Sequence, residues 1–168
     1  MGFTNNTHMS QYIPPTAMHY VTGTWTDAAG AVTDTICKHK AAAAQTAVVN
    51  VPIVLPSNSV AQMGAYLETI EFDYELLLAA ATSVTAVLNK VTRGADGAVA
   101  VVSVPAITQD LAAAVAAATE NQHKLTVTLT TPEWIDNDVY FLLEMSLVCG
   151  GTVTVDVLGA VANFTLRV

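Results

Sequence analysis

A chain of 168 residues with 52% hydrophobic and only 12% charged residues has the size of one domain and can bury a sizeable core. Six Lys and Arg stand against fourteen Asp and Glu, a net charge of −8, and the one basic cluster, Lys38-His39-Lys40, is too short to displace counterions from a phosphate backbone. That excludes nucleic acid as a partner, and no apolar run reaches the roughly 18 residues of a spanning helix, which argues against a membrane. So little charge leaves the surface to Thr, Ser, Asn and Ala, the pattern expected where much of a surface meets other protein.

Residues 1–16 read as an extended arm and residues 17–168 as a single β-sandwich domain. The opening "MGFTNNTHMSQYIPP" lacks the basic start and apolar stretch of a signal peptide. Asn6 also stands where an N-myristoylation signal wants Ser or Thr. Pro14-Pro15 favours an extended path. Phe3, Met9, Tyr12, Ile13, Pro14 and Pro15 give the arm anchors for a contact with a neighbouring subunit.

From Ala17 the β signals are dense. "MHYVTGTWT" and "AVTDTICKH" read as a hairpin around Asp27–Gly30. "VVNVPIVL" is a strand whose Pro52 points to a sheet edge or the end of a ladder. "YLETIEFDYELLL" alternates, with Tyr66, Ile70, Phe72, Tyr74 and Leu76 on one parity and Glu71, Asp73 and Glu75 on the other. Next, "TSVTAVLNKVTR" and "AVAVVSVPAI" form a hairpin about Asp96-Gly97. "TQDLAAAVAAATENQ" predicts a short Ala-rich helix over about 110–120, capped by Thr108 or Asp110. "HKLTVTLTT" is a strand, "PEWIDND" a loop, and "VYFLLEMSLVC" a strand that is central or covered on both faces. The closing segment turns Val153, Val155 and Val157 inward. The sum is an all-β, jelly-roll-like antiparallel sandwich of about eight strands with one short helix and an N-terminal arm. An immunoglobulin-like sandwich is the alternative, ranked second because the separation of Cys37 and Cys149 is too long for its usual disulfide.

Candidate chemistry is sparse. Glu71, Asp73 and Glu75 lie at i, i+2 spacings of about 6.5–7 Å, within the range of an inverting glycosidase pair. Yet the aromatics of this strand sit on the opposite parity, so the acids are expected to be a solvated outer face, exposed and coordinating nothing. "EWIDND" offers Asp136 and Asp138 as weak calcium ligands, with too few oxygens for a full site. His8, His19, His39 and His123 are scattered, away from metal-ligand spacing. Cys37 and His39 share a strand face, but no third orienting group is evident in sequence. Neither an enzymatic activity nor a cofactor is expected.

The arm before "YVTGTWTDAAGAVTDT", the hairpin "VTAVLNKVTRGADGAVAVVSV", "LTVTLTTPEWIDNDVYFLLEMSL" and "VTVDVLGAVANFTL" together resemble the small all-β structural proteins of tailed bacteriophages. The resemblance covers about 140 residues in texture and order. It implies a capsid decoration or cement protein, commonly trimeric, made in the host cytoplasm and placed on the virion exterior. Its implied partners are the major capsid protein and further copies of itself. Two alternatives stand beside it. One is a single-jelly-roll major capsid protein. The other is a carbohydrate- or receptor-binding module, such as a fibre head, with ligand-facing aromatics around Trp25 or Trp134.

Overall fold

The computed structural model describes residues 6–29, 36–54, 65–105, 107–109, 123–135 and 138–167. The helix expected over 110–120, Phe3 and Asp136 lie outside the described residues. The described strands are β1 (Asn6–Ile13), β2 (His19–Thr22), β3 (Trp25–Ala29), β4 (Ile36–Lys40), β5 (Gln45–Ile53), β6 (Ala65–Leu77), β7 (Ser83–Arg93), β8 (Val99–Ser103), β9 (Ile107–Gln109), β10 (His123–Ile135), β11 (Val139–Cys149) and β12 (Thr154–Arg167).

They form two antiparallel sheets. One has seven strands in the order β3-β4-β12-β6-β10-β9, with β1 also paired to β12; the other has five, β2-β5-β11-β7-β8. Within them β4-β12-β6-β10 faces β5-β11-β7-β8. The chain crosses between sheets at β4→β5→β6→β7, returns beside β7 as β8, crosses back to β9 and β10, and crosses again at β10→β11→β12. That order is an eight-stranded jelly roll, with β1, β2, β3 and β9 as additions at its margins.

Alternation explains most of the packing. β5 buries Ala47, Val49, Val51 and Ile53, and β11 buries Phe141, Leu143, Met145 and Leu147. β11 lies between β5 and β7, as its apolar composition predicts. Pro52 pairs with Leu142 of β11, beyond the stretch Val48–Asn50 that β2 covers, so its missing N–H breaks no ladder on the open side. The hairpin β7–β8 turns at Asp96-Gly97, where Gly97 takes φ +84°.

Bulges reset the alternation in three places and correct the sequence reading. In β6, Glu68 is skipped between Leu67 and Thr69 in both neighbouring ladders. Ala65 and Leu67 therefore face the core with Ile70, Phe72, Tyr74 and Leu76, while Tyr66 turns to the outer face. In β10 the register against β6 shifts between Thr128 and Glu133 while the strand continues, with Leu129 buried and paired to Ile107 of β9, and Glu133, Trp134 and Ile135 pair with Leu67, Tyr66 and Ala65. The expected "PEWIDND" loop is thus strand as far as Ile135. In β12 the break falls at Leu158-Gly159. Val155–Val157 pair with β4 before it, and Ala160–Arg167 pair with β1 after it.

The expected N-terminal arm is extended but belongs to the sheet. β1 runs along β12 from Asn6↔Arg167 to Ile13↔Ala160. Ile13 and Pro15 are buried within the domain, and Met9 packs against its core. These three anchors serve their own chain because β1 closes the open edge of β12; Tyr12 and Pro14 remain exposed. "MHYVTGTWT" also divides. β2 joins the five-stranded sheet, Gly23 turns at φ +106°, and β3 joins the other sheet against β4.

Candidate ligand-binding face

The outer face of the seven-stranded sheet aligns polar and aromatic side chains in rows. Register places His8, Thr165, Tyr66 and Trp134 side by side across β1, β12, β6 and β10. The next row is Ser10, Asn163, Thr69 and Thr128, and the one after is Tyr12, Val161, Glu71 and Thr126. Directly opposed side chains on neighbouring strands lie within about 5.5 Å of one another, so each row is a continuous strip.

Hydrogen bonds run along the rows. Ser10 Oγ donates to Asn163 Oδ1 at 2.6 Å, and Asn163 Nδ2 donates to Thr69 Oγ1 at 2.9 Å. In the first row Thr165 Oγ1 donates to the Glu68 carboxylate. His8 Nδ1 lies 3.3 Å from Thr165 Oγ1 and 3.9 Å from Glu68 Oε2. The bulge in β6 is what brings Glu68 to this position. Tyr66 meets Trp134 edge-on, with ring centroids 4.9 Å apart at 67°. Beside them Tyr66, Glu68, Thr131, Pro132 and Thr165 line an open cavity of about 350 Å³. On the far flank of β10, Thr108, Gln109, Thr126 and Thr128 line a second, polar cavity of about 380 Å³.

The acid stripe crosses this face and does not behave as one unit. Glu71 accepts a charged hydrogen bond from Lys124 at 3.1 Å. Asp73 is half-buried; burial raises its carboxyl above the ordinary range, Glu71 adds to this, and Lys124 opposes it. Glu75 is only 2% exposed, which overturns the expectation of three solvated acids. It lies opposite Asp156, itself 4% exposed, and Asp156 lies opposite His39.

His39 Nδ1 sits 2.5 Å from Asp156 Oδ1, so the orienting group that the sequence did not reveal for Cys37-His39 exists, 117 positions along the chain from His39. The cluster is nevertheless poorly suited to nucleophilic attack. Cys37 is fully buried; burial pushes its thiol up, and the charges of Asp156 and Glu75 push it further. Among the described residues no three His, Cys, Asp or Glu side chains are placed to hold a metal ion. Asp138 is exposed at the start of β11.

Other residues singled out in sequence have structural surroundings. Trp25 packs against the core edge, tilted on Tyr20 at 4.8 Å, and its Nε1 donates to Thr22 O at 2.7 Å. Cys149 is buried, and burial raises its thiol, with Lys40 opposing. Lys40 is itself fully buried, and its Nζ donates to the carbonyls of Ala41, Ala43 and Val153 at 3.1, 3.2 and 3.5 Å. Of the residues on the first row, sequence reasoning singled out Trp134 as a ligand candidate. His8, Glu68 and Thr165 were missed because their meeting depends on strand register and a bulge.

No protein-family model matches the chain, and no curated protein matches it. Among solved structures it is similar to an arabinose-bound α-L-arabinofuranosidase, MgGH51, at 10% identity and a TM-score of 0.39; the match takes in 91% of this chain and 24% of that enzyme's length. It is also similar to a family 11 carbohydrate-binding module from Clostridium thermocellum in complex with a β-1,3-1,4-mixed-linked tetrasaccharide, at 10% identity and a TM-score of 0.28, over 99% of this chain and 90% of that one. Neither overlap is close enough to carry a ligand or an activity across.

Proposed function

We propose that the chain is a non-catalytic binding module that takes a hydroxyl-rich ligand, a carbohydrate chain, across the outer face of its seven-stranded sheet. The observation that carries this reading is the row His8–Thr165–Tyr66–Trp134 beside the cavity of about 350 Å³. Sugar recognition needs an apolar ring surface for one face of the pyranose and fixed donors and acceptors for its hydroxyls. Tyr66 and Trp134 supply the first. Glu68, Thr165 and the Ser10–Asn163–Thr69 chain supply the second, held by hydrogen bonds among themselves and so ordered before the ligand arrives. A cavity of this size with few convergent polar groups fits the usual form of a small-ligand site.

A glycan array followed by titration calorimetry tests the proposal. The intact chain should retain at least one class of glycan. Tyr66→Ala should abolish that binding, and Glu68→Gln should weaken it about tenfold, the loss expected when a hydrogen bond to a charged acceptor becomes a neutral one. Silence across the array, or affinities unmoved by both substitutions, would refute the reading.

A second reading is a virion decoration protein that binds a preformed phage head through protein contacts. It is favoured by the uncharged, Val-rich edge at β8, where Val99, Val101 and Val102 are each more than 60% exposed, on a chain with only 12% charged residues. Co-sedimentation with purified phage heads tests it, and a chain that stays in the supernatant at every concentration counts against it.

A further inference from the structure

We propose that β8 pairs, antiparallel and about a two-fold axis, with β8 of a second copy of this chain, joining the two five-stranded sheets edge to edge. The argument is independent of the ligand-binding face, which lies on the other sheet.

β8 is the terminal strand of its sheet, and all five of its residues are exposed. The hydrogen bonds at its two ends fix which backbone groups point outward. Val104 N donates to Leu88 O at 2.8 Å, while Arg93 N points away from β8 and donates to Asp138 O at 2.8 Å. Antiparallel ladders alternate strictly between bonded and non-bonded pairs. Lys90/Val102 and Thr92/Ala100 are therefore the bonded pairs of the β7–β8 ladder. Val99, Val101 and Ser103 direct both their N–H and C=O groups away from β7.

Exposed edges of this kind are usually blunted by charge, proline, a bulge or brevity. Three other margins show such devices: β9 has three residues, β2 has four with an irregular register, and β3 carries Asp27, paired with Lys38 at 2.5 Å. β1 is also an edge of unbroken register, but its sequence NTHMSQYI is largely polar where β8 is valine-rich. β8 has none of them: "VAVVS" contains no charge, no proline and no register break.

The occupant follows from charge and register. Two copies of a chain with net charge −8 repel one another over most of their surfaces. β8 is uncharged; Lys90, opposite Val102, is paired with Glu133, and Arg93 and Asp96 at the turn are opposite in sign. It is a place where two such chains can meet without like-charge repulsion. Centring the two-fold axis on Val101 sets Val101 against its own copy and Val99 against Ser103. The outward groups of both strands then face one another, and each pair exchanges two N–H···O bonds. Register also places Tyr140, Val91 and Val101 in one row on the outer face of the sheet. Across the axis that row runs on into the same three residues of the second copy. The product is a dimer, where the phage resemblance implies a trimer.

The experiment uses the full chain. Sedimentation equilibrium should give twice the 17.6 kDa chain mass. Val101→Lys should return it to the single-chain mass with an unchanged circular dichroism spectrum. Val101→Cys reads the same contact without a charge: bonded antiparallel pairs hold their Cα atoms about 5.5 Å apart, within disulfide range. Mild oxidation should therefore cross-link Val101→Cys into a dimer and leave Val87→Cys, exposed in the middle of the same sheet, uncrosslinked. The proposal is overturned by a single-chain mass at high micromolar concentration, by an assembly of three copies, by an assembly that Val101→Lys leaves intact, or by failure of Val101→Cys to cross-link.

Discussion

Gly159→Ala probes the joint that holds β1 onto the sandwich. Gly159 sits at the break in β12 with φ +154°, and a Cβ placed there would meet Tyr12 Oη at 2.6 Å and the ring at 2.7 and 2.8 Å. The Tyr12 ring lies over the glycine and its hydroxyl donates to Leu158 O at 2.9 Å. Tyr12 is 59% exposed, so the ring can swing into solvent, but only by giving up that bond and the contact beneath it. The loss has two parts. Holding a non-glycine residue in this backbone region costs about 1–3 kcal/mol. Displacing Tyr12 forfeits a hydrogen bond of about 0.5–1.5 kcal/mol. The substitution should therefore destabilise by about 2–4 kcal/mol, read by urea denaturation. A double-mutant cycle separates the parts: in a Tyr12→Ala background the steric part is gone, so Gly159→Ala should cost about 1 kcal/mol less than in the wild type. A Gly159→Ala penalty below about 0.5 kcal/mol, or strictly additive effects, would show that Tyr12 does not pin β1 at this point.

Three further outcomes are expected. Asp73→Asn should stabilise the fold at neutral pH, because burial raises this carboxyl above its ordinary value of 3.8. An acid with a raised native pKa holds its proton more tightly folded than unfolded, so its ionised form works against folding above the native pKa. That penalty fades as pH falls through the raised value and is absent below 3.8, so melting temperatures of variant and wild type should converge in acid. Cys37 is fully buried and Cys149 is 4% exposed, so a thiol-reactive chromophore should label neither in the native chain and both in denaturant; rapid native labelling would contradict the packing. Leu143→Ala, in the middle of β11 and fully buried, should cost about 2–5 kcal/mol by the same urea assay, and a smaller loss would mean that the two sheets collapse onto the gap.

Period-2 alternation made β5 to β8, the first part of β10, β11 and β12 legible in sequence, and the Asp96-Gly97 turn made the β7–β8 hairpin legible, because both signals are local; β9 was not, since Thr108 read as a helix cap. What escaped is long-range. The turn of Tyr66 to the outer face depends on a one-residue bulge at Glu68, and a bulge leaves no mark in an alternation pattern that has apolar residues on both sides of it. Glu75 looked like its neighbours Glu71 and Asp73; only the fold sets it beside Asp156 and leaves it 2% exposed, and composition cannot show that. His39 gained its partner from 117 positions away for the same reason. The arm read as an anchor on a neighbouring subunit because nothing in "NTHMSQYI" announces an antiparallel partner in its own chain, and Ile13 and Pro15 pack within the domain instead.

The proposed ligand face and the proposed pairing edge lie on different sheets. The polar rows belong to the seven-stranded sheet, and β8 terminates the five-stranded one. Pairing through β8 therefore leaves His8, Glu68, Tyr66 and Trp134 uncovered in both copies. A dimer so formed presents two identical ligand faces in a fixed relation. If each face binds a sugar chain weakly, engagement of both by one polymer makes the second event intramolecular, and avidity can exceed single-site affinity by about 10²–10⁴. Val101→Lys distinguishes this from simple coexistence of two sites. It should leave the affinity for a short oligosaccharide unchanged and sharply reduce retention on an immobilised polysaccharide. Equal loss on both ligands would mean that β8 belongs to the ligand site itself, and no loss on either would mean that dimerisation plays no part in binding.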